Sequence, residues 1–153
     1  MAQKIKQISL MVQAMHLRRM FPDSQISTQK GNSLIWRHKL SPSPMGGYYK
    51  VKLTYKLNEK PRVYVVEPKP LRKPAGVLQL EHCYNTELQE LCLYYPDKTE
   101  WNESLLLSET IIPWIFDWLF HYEIWVVTGE WKGGGVHLRK DKKGFIGYKV
   151  QDK

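Results

Sequence analysis

One segment of the chain alternates between apolar and polar residues with a period of two, and this pattern constrains the fold most. The apolar positions are Tyr49, Val51, Leu53, Tyr55 and Leu57, and the positions between them are Lys50, Lys52, Thr54 and Lys56. Because successive side chains of a β-strand point to opposite faces, the pattern predicts a strand with one buried and one wet face. Such a strand needs paired neighbours and a layer that covers its apolar face.

The flanking segments supply these neighbours. Residues 34–40 and 62–66 are rich in apolar and β-branched residues, and short turn-forming segments join both to the alternating strand, which predicts an antiparallel meander. A three-to-four spacing of apolar residues predicts a first helix over residues 4–20, with an inward face made of Ile5, Ile8, Val12 and Met15. The apolar segment from Leu105 to Leu119 predicts a second helix. The fold class is therefore α+β.

The remaining segments lack a clear period. Residues 24–33 are predicted as a loop or a poorly formed strand, and residues 77–100 as an irregular segment that contains both cysteines. A long irregular segment in a compact domain is usually functional. Residues 123–131 are predicted to be strand-like or irregular. We expect one domain over residues 1–131 and a Gly- and Lys-rich tail over residues 132–153, either mobile or docked weakly.

Composition limits the class of protein. The chain has 153 residues with 42% hydrophobic content, which is enough for one domain with a real core. Two cysteines in a chain of this size argue against a disulfide framework and favour a reducing cytoplasm. The stretch from Ile111 to Val127 contains Asp117, His121 and Glu123, so a membrane span is not expected. The net charge of +8 is spread along the chain and predicts a solvated basic surface.

The residues that indicate chemistry lie in the irregular segment. His82, Cys83 and Asn85 form one short cluster, and Cys92 follows His82 by ten residues between two leucines. Trp101 and the second predicted helix come next. This arrangement resembles the active-site segment of ubiquitin-conjugating enzymes, in which a His-Pro-Asn turn precedes a thioester-forming cysteine by the same step. The order of helix, meander, irregular segment and helix is similar to the ubiquitin-conjugating (UBC) fold over about residues 4–122.

The resemblance is closest to a bacterial subgroup. Its marks are Trp114-x-x-x-Trp118, Glu123-Ile124-Trp125 and Thr128-Gly129-Glu130-Trp131, and the sequence has no counterpart of the two C-terminal helices of most relatives. Members of this subgroup occur in the anti-phage operons called CBASS. The resemblance implies that Cys92 forms a thioester with the C-terminus of a cGAS-like nucleotidyltransferase and passes it to a lysine-bearing target. It implies no cofactor, and loading requires a separate activating enzyme or an activated donor.

The roles of the neighbouring residues follow from the same resemblance and leave alternatives open. Cys83 stands where the family has proline, so it is the second-choice nucleophile. Asn85, one place late, is expected to stabilise the oxyanion, a function that Tyr84 could take over. His82 is expected to hold the loop by hydrogen bonds, and a role as a base is the alternative. Asp97 and Glu100 are candidates for assisting deprotonation of an incoming lysine.

Two other classes of function remain. The first is a non-enzymatic basic module for nucleic acid or an acidic protein partner, in which Lys50, Lys52 and Lys56 join Tyr48 and Tyr49 in one charged, aromatic face. We expect binding to generic nucleic acid to be weak. The second is a zinc protein that uses His82, Cys83 and Cys92 with His121 or His137, although the spacing matches no common zinc motif.

Overall fold

The structure, a computed structural model, describes residues 4–95, 99–133, 136–140 and 146–150, the last two stretches as backbone. In chain order the first elements are helix α1 (Leu10–Met20) and strands β1 (Gln25–Gln29), β2 (Ser33–Leu40), β3 (Tyr49–Lys56) and β4 (Arg62–Glu67). Residues 77–100, called the active-site segment below after the resemblance noted above, contain β5 (Cys83–Asn85) and β6 (Glu90–Leu91). A 3-10 turn (Leu107–Glu109), helix α2 (Ile111–Thr128) and strands β7 (Val136–Lys140) and β8 (Ile146–Val150) follow. The α+β layout predicted from the sequence is confirmed, and it is consistent with a UBC-like arrangement.

Strands β1 to β6 form one antiparallel sheet in the order β1-β2-β3-β4-β6-β5. Strand β3 has the predicted register, because Val51, Leu53 and Tyr55 are all at most 1% exposed. The lysines between them lie on the outer face. The inner face packs against α1 and α2 in one apolar cluster that includes Leu17, Trp36 and Ile115 among its fully buried members. The alternation that the sequence shows therefore decides which side of the sheet carries the helices.

Helix α1 differs from the prediction in both its start and its inward face. It begins after Ser9, whose hydroxyl accepts a hydrogen bond from the backbone N–H of Val12, so residues 4–8 lie outside it. The buried positions are Leu10, Gln13, Ala14 and Leu17, whereas Ile5, Val12 and Met15 of the predicted inward face are exposed. The prediction of this face was wrong because a second set of positions, Leu10, Ala14 and Leu17, has the same three-to-four spacing. The face that these residues form is the inward one, and it also contains the buried Gln13.

Two parts of the chain without a clear period join the sheet. Strand β1 pairs with β2 over five residues, from Gln25 opposite Arg37 to Gln29 opposite Ser33. In the active-site segment, Glu90 of β6 pairs with Tyr64 of β4, and β5 pairs with β6 in turn. The segment predicted to be irregular therefore extends the sheet at the β4 edge, although its strands have only three and two residues.

Helix α2 starts later and ends later than the sequence suggested. Residues 107–109 form the separate 3-10 turn, and the helix continues to Thr128, so the expectation of a strand-like or irregular segment from residue 123 was wrong. Its buried residues recur every three or four positions up to Trp125. The helix ends at Gly129, whose φ of 76° is left-handed and is readily adopted only by glycine.

After α2 the chain returns to the active-site segment. Trp131 is buried, and its ring lies 4.7 Å from the imidazole of His82 between centroids. Beyond it, β7 and β8 form an antiparallel hairpin in the region that the sequence indicated only as a tail. Within the described ranges, neither helix has the length and apolar character needed to cross a bilayer.

Candidate active site

The backbone of His82 joins the active-site segment to α2. Its carbonyl oxygen accepts hydrogen bonds from the Cys92 N–H and from the Trp118 indole N–H, each at 2.9 Å. His82 has a φ of 47°, an uncommon left-handed conformation for a residue other than glycine. Such conformations persist where the surroundings over-determine them, and they often occur at functional sites. His82 and Cys92, separated by ten residues, are thus held in direct contact.

The sulfur of Cys92 lies in a partly enclosed polar environment. The residue is 7% exposed, and its thiol donates to the Tyr94 carbonyl oxygen at 3.7 Å. The Tyr84 hydroxyl forms a hydrogen bond with the same sulfur. Burial raises the pKa of the Cys92 thiol, and the Tyr84 hydroxyl and the Lys60 ammonium oppose this effect. The surroundings therefore contain groups that favour the thiolate, the form that acts as a nucleophile.

Cys83 has a different environment. Its thiol donates to the carbonyl oxygens of Asn85 and Glu90 at 3.1 and 3.0 Å. Burial, the largest cause, raises the pKa of this thiol to about 12. Cys83 is also not among the residues that line the cleft beside Cys92. These features are typical of a structural thiol, in contrast with those of Cys92.

The side chains of Asn85 and Tyr84 point to different partners. Asn85 is exposed, and its Oδ1 accepts a hydrogen bond from the Leu88 N–H at 2.9 Å, as in a turn. Tyr84 contacts Cys92 instead, and the Lys60 Nζ lies over its ring, 4.0 Å from the centroid. Of the two residues that the sequence left open, Tyr84 is therefore the one in contact with the sulfur.

A cleft of about 290 Å³ opens beside Cys92, between the active-site segment and α2. The residues that line it are His82, Cys92, Leu93, Tyr94, Tyr95, Glu100, Trp114, Asp117, Trp118, His121 and Trp131. Glu100 lies in this cleft, where its Oε2 accepts a hydrogen bond from the Tyr95 N–H at 2.8 Å. Asp97, the other expected carboxylate, lies outside the described residues.

The cleft also contains Asp117, which the sequence analysis did not assign to the site, and His121, which it named only as a possible zinc ligand. Asp117 and His121 stand one helical turn apart on α2 and both line the cleft. The His121 Nδ1 is buried without a hydrogen-bond partner. A signal existed, because these polar residues interrupt an otherwise apolar helix. The sequence alone could not assign them to the cleft, since the packing of α2 against the active-site segment is a long-range feature.

The two non-enzymatic alternatives have little support at this level. In the described part of the chain, no group of three or more His, Cys, Asp or Glu side chains could hold a metal ion. Tyr49 is buried, so it cannot belong to an exposed aromatic face. Lys50 forms an ion pair with Glu67 at 3.2 Å, and the Lys52 Nζ lies 5.3 Å from the centroid of the Tyr64 ring.

The chain matches the model of a known protein family. The family model E2-CBASS, described as Type II CBASS E2 protein, matches residues 13–138. This range includes α1 except for its first three residues, the whole six-stranded sheet, every candidate site residue, α2 and the segment through Trp131. A search of the curated proteins finds no match to the chain.

Proposed function

The chain belongs to the family of Type II CBASS E2 proteins, which are E2-like proteins of anti-phage defence, and from this premise we propose that it is a protein-conjugating enzyme. Cys92 accepts the C-terminal acyl group of a partner protein as a thioester and transfers it to an amine. The observation that carries this proposal is the position of the Cys92 sulfur beside a cleft, in contact with a hydroxyl and near an ammonium.

The chemistry needs an activated acyl donor. The Cys92 thiolate attacks the carbonyl carbon of a C-terminal thioester or acyl adenylate, the new C–S bond forms, and the donor's thiolate or AMP leaves. An acceptor amine then attacks the thioester, an amide bond forms, and the Cys92 thiolate leaves. By the family resemblance, the donor protein is a cGAS-like nucleotidyltransferase, loaded by a separate activating enzyme or from an already activated donor.

The neighbouring residues divide the remaining tasks. We assign to His82 the task of holding Cys92, because the His82 carbonyl bonds the Cys92 N–H. We assign to Asn85 a role in shaping the turn through its bond to the Leu88 N–H. Its amide remains a candidate for stabilising the oxyanion in the substrate complex, since catalytic hydrogen bonds often tighten only there. Cys83 remains the second-choice nucleophile, and its two bonds to carbonyl oxygens argue against it.

The cleft provides a route for the acceptor. An incoming lysine carries a positive charge that Glu100 and Asp117 would attract, and it must lose a proton before it attacks. Asp117→Asn should therefore slow discharge of the thioester to an amine more than loading of Cys92. Equal slowing of the two steps would contradict this assignment.

Loading is tested by co-expression with the candidate nucleotidyltransferase and its activating enzyme, followed by non-reducing gels and intact mass with and without thiol. The wild type should form an adduct that thiol cleaves. Cys92→Ser should form a longer-lived oxyester, because an alkoxide is a poorer leaving group than a thiolate. Cys92→Ala should form none, whereas Cys83→Ala should load largely as the wild type does.

Two results would change the conclusion. If Cys83→Ala abolishes the adduct and Cys92→Ala retains it, Cys83 is the nucleophile. If neither substitution affects an adduct, or no thiol-labile adduct forms with an active donor, then the conjugating function is wrong. The Asn85→Ala variant belongs in the same series, because a role in the turn alone predicts loss of stability with little change in transfer per folded molecule.

A further inference from the structure

Two side chains from other parts of the fold, Lys60 and Tyr84, lie close to Cys92. Lys60 lies on the turn between β3 and β4, Tyr84 on β5, and Cys92 directly after β6. The Lys60 Nζ is 4.0 Å from the centroid of the Tyr84 ring, and the Tyr84 hydroxyl is hydrogen-bonded to the Cys92 sulfur. Lys60 and Tyr84 also line one small cavity together with Leu91 and Leu93, the residues on either side of Cys92 in the chain.

We propose that Lys60 and Tyr84 form a positioning and activating pair for the thiolate of Cys92. The use of this pair in acyl transfer rests on the proposed function, whereas its effect on the Cys92 thiol does not. The Tyr84 hydroxyl donates to the sulfur. The Lys60 ammonium holds the tyrosine ring by a cation–π contact and adds a positive charge close to the developing negative charge.

The directions of the electrostatic contributions agree with this arrangement. Burial raises the pKa of the Cys92 thiol, while the bond to Tyr84 and the charge of Lys60 act to lower the pKa. Glu100 acts in the raising direction. The other titratable groups that line the cleft are His82, Tyr94, Tyr95, Asp117 and His121. Lys60 is thus the cation whose removal should make the thiolate less accessible at neutral pH.

The chain offers a matched control for Lys60. Lys39 also lies over a tyrosine ring, with its Nζ 5.1 Å from the Tyr48 centroid, on the outer face of the sheet. Neither Lys39 nor Tyr48 lines the cleft or the small cavity beside Cys92. Lys39→Met therefore removes the same charge and the same kind of contact without touching the site. Cys83 serves as an internal reference, because its thiol should react slowly in every folded variant.

The test is site-resolved alkylation of the full chain with iodoacetamide, measured by peptide mass spectrometry as a function of pH and without any partner protein. Lys60→Met should lower the rate at Cys92 by about three- to tenfold at pH near 7.5, since a nearby opposite charge shifts a pKa by roughly one unit and exposure weakens the effect. The plateau rate at high pH should not change. Tyr84→Phe should also lower the alkylation rate at Cys92. Lys60→Arg should keep this rate near the wild-type value, and Glu100→Gln should raise it.

Several outcomes would overturn the inference. One is an unchanged rate in both Lys60→Met and Tyr84→Phe, and another is an equal loss in Lys39→Met. A third is a decrease that persists on the high-pH plateau, because that would report accessibility and not ionisation. If Tyr84→Phe speeds alkylation of Cys83, this variant has lost its fold, and the two Lys60 variants then decide. Failure here would leave the thiol-labile adduct intact, whereas failure of the proposed function would remove the adduct and leave these alkylation rates as expected.

Discussion

Gln13 is a fully buried polar side chain that connects the first helix to the segment before the second. Its Nε2 donates to the Leu105 carbonyl oxygen, and its Oε1 accepts from the Leu107 N–H, both at 2.9 Å. Because the Leu107 N–H is buried and the Leu105 carbonyl is partly buried, the amide replaces water that has little access to them. This explains why a glutamine lies on the inward face of α1.

Gln13→Ala should lower the free energy of unfolding by about 2–3 kcal/mol, because it leaves a buried donor and a buried acceptor without partners. The measurement is urea unfolding followed by tryptophan fluorescence. Gln7→Ala is the control, since Gln7 is exposed and its amide bonds the Asn58 side chain at the surface. If the two substitutions have similar effects, the two hydrogen bonds of Gln13 do not contribute as we expect.

Cys83 should make stability depend on alkaline pH. Burial raises the pKa of its thiol from 9.0 to about 12 in the folded chain, so the protonated form is favoured there. Above pH 9 the unfolded chain loses this proton while the folded chain keeps it. Stability contributed by Cys83 is therefore complete below pH 9 and is lost between pH 9 and about 12.

The check is the urea midpoint of wild type and Cys83→Ala between pH 8 and pH 10.5, where the wild type should lose stability more steeply. Tyr122 sets a shared background, because burial raises the pKa of its hydroxyl from 10.0 to about 12. Parallel curves for the two proteins would show that Cys83 ionises equally in both states.

At the level of elements, strand β3 allows the sharpest test, because its two faces differ in burial at adjacent positions. Leu53→Ala should cost roughly 2–5 kcal/mol in the free energy of unfolding, since Leu53 is 0% exposed and its loss leaves a cavity. Lys52→Ala, on the outer face, should change it by about 0.5 kcal/mol or less. Comparable shifts of the two urea midpoints would contradict the register of the sheet.

Helix α2 shows how one element serves both the core and the candidate site. Its inward residues such as Ile115 and Leu119 are fully buried, and Trp118 bonds the His82 carbonyl oxygen. Asp117 and His121 lie on the side that faces the cleft. Packing of this helix therefore positions the active-site segment and completes the cleft at the same time.

At the scale of the whole molecule, the charges are less dispersed than they are along the chain. On the outer sheet face, Arg37 stands opposite Lys52 and Lys39 opposite Lys50 in the register of β2 and β3. Like charges in these positions are unfavourable, and the ion pair of Lys50 with Glu67 offsets part of the repulsion. The sheet thus gathers basic residues that the sequence separates by more than ten positions.

Even so, we expect weak binding to generic DNA or RNA at about 150 mM salt. Tyr49 is buried and cannot stack on a base, and lysines lie over the rings of Tyr48 and Tyr64, so this face offers little aromatic surface for base stacking. Fluorescence anisotropy with labelled single- and double-stranded oligonucleotides measures the affinity. A sub-micromolar value that is lost on replacing Lys50, Lys52 and Lys56 would favour a binding module over the enzyme.

The sequence by itself determined the features that depend on local periodicity and spacing. The alternation from Tyr49 to Leu57 predicted the register of β3, the turn residues around it predicted the meander, and the ten-residue step from His82 to Cys92 indicated the family. These features survive because strand pleat and turn geometry act between near neighbours, whatever the rest of the fold does.

Only the tertiary structure decided which of several equivalent local choices is realised. The spacing of apolar residues in α1 fits two faces, and the buried bonds of Gln13 to residues more than ninety positions away select one. Tyr84 and Asn85 are adjacent in sequence, yet of the two it is Tyr84 that contacts Cys92. Lys60, on the turn between β3 and β4, lies over the Tyr84 ring. Asp117 and His121 join the cleft because α2 packs against the His82 carbonyl. The physical reason is the same each time: these contacts join distant segments, whose approach depends on the packing of the whole core.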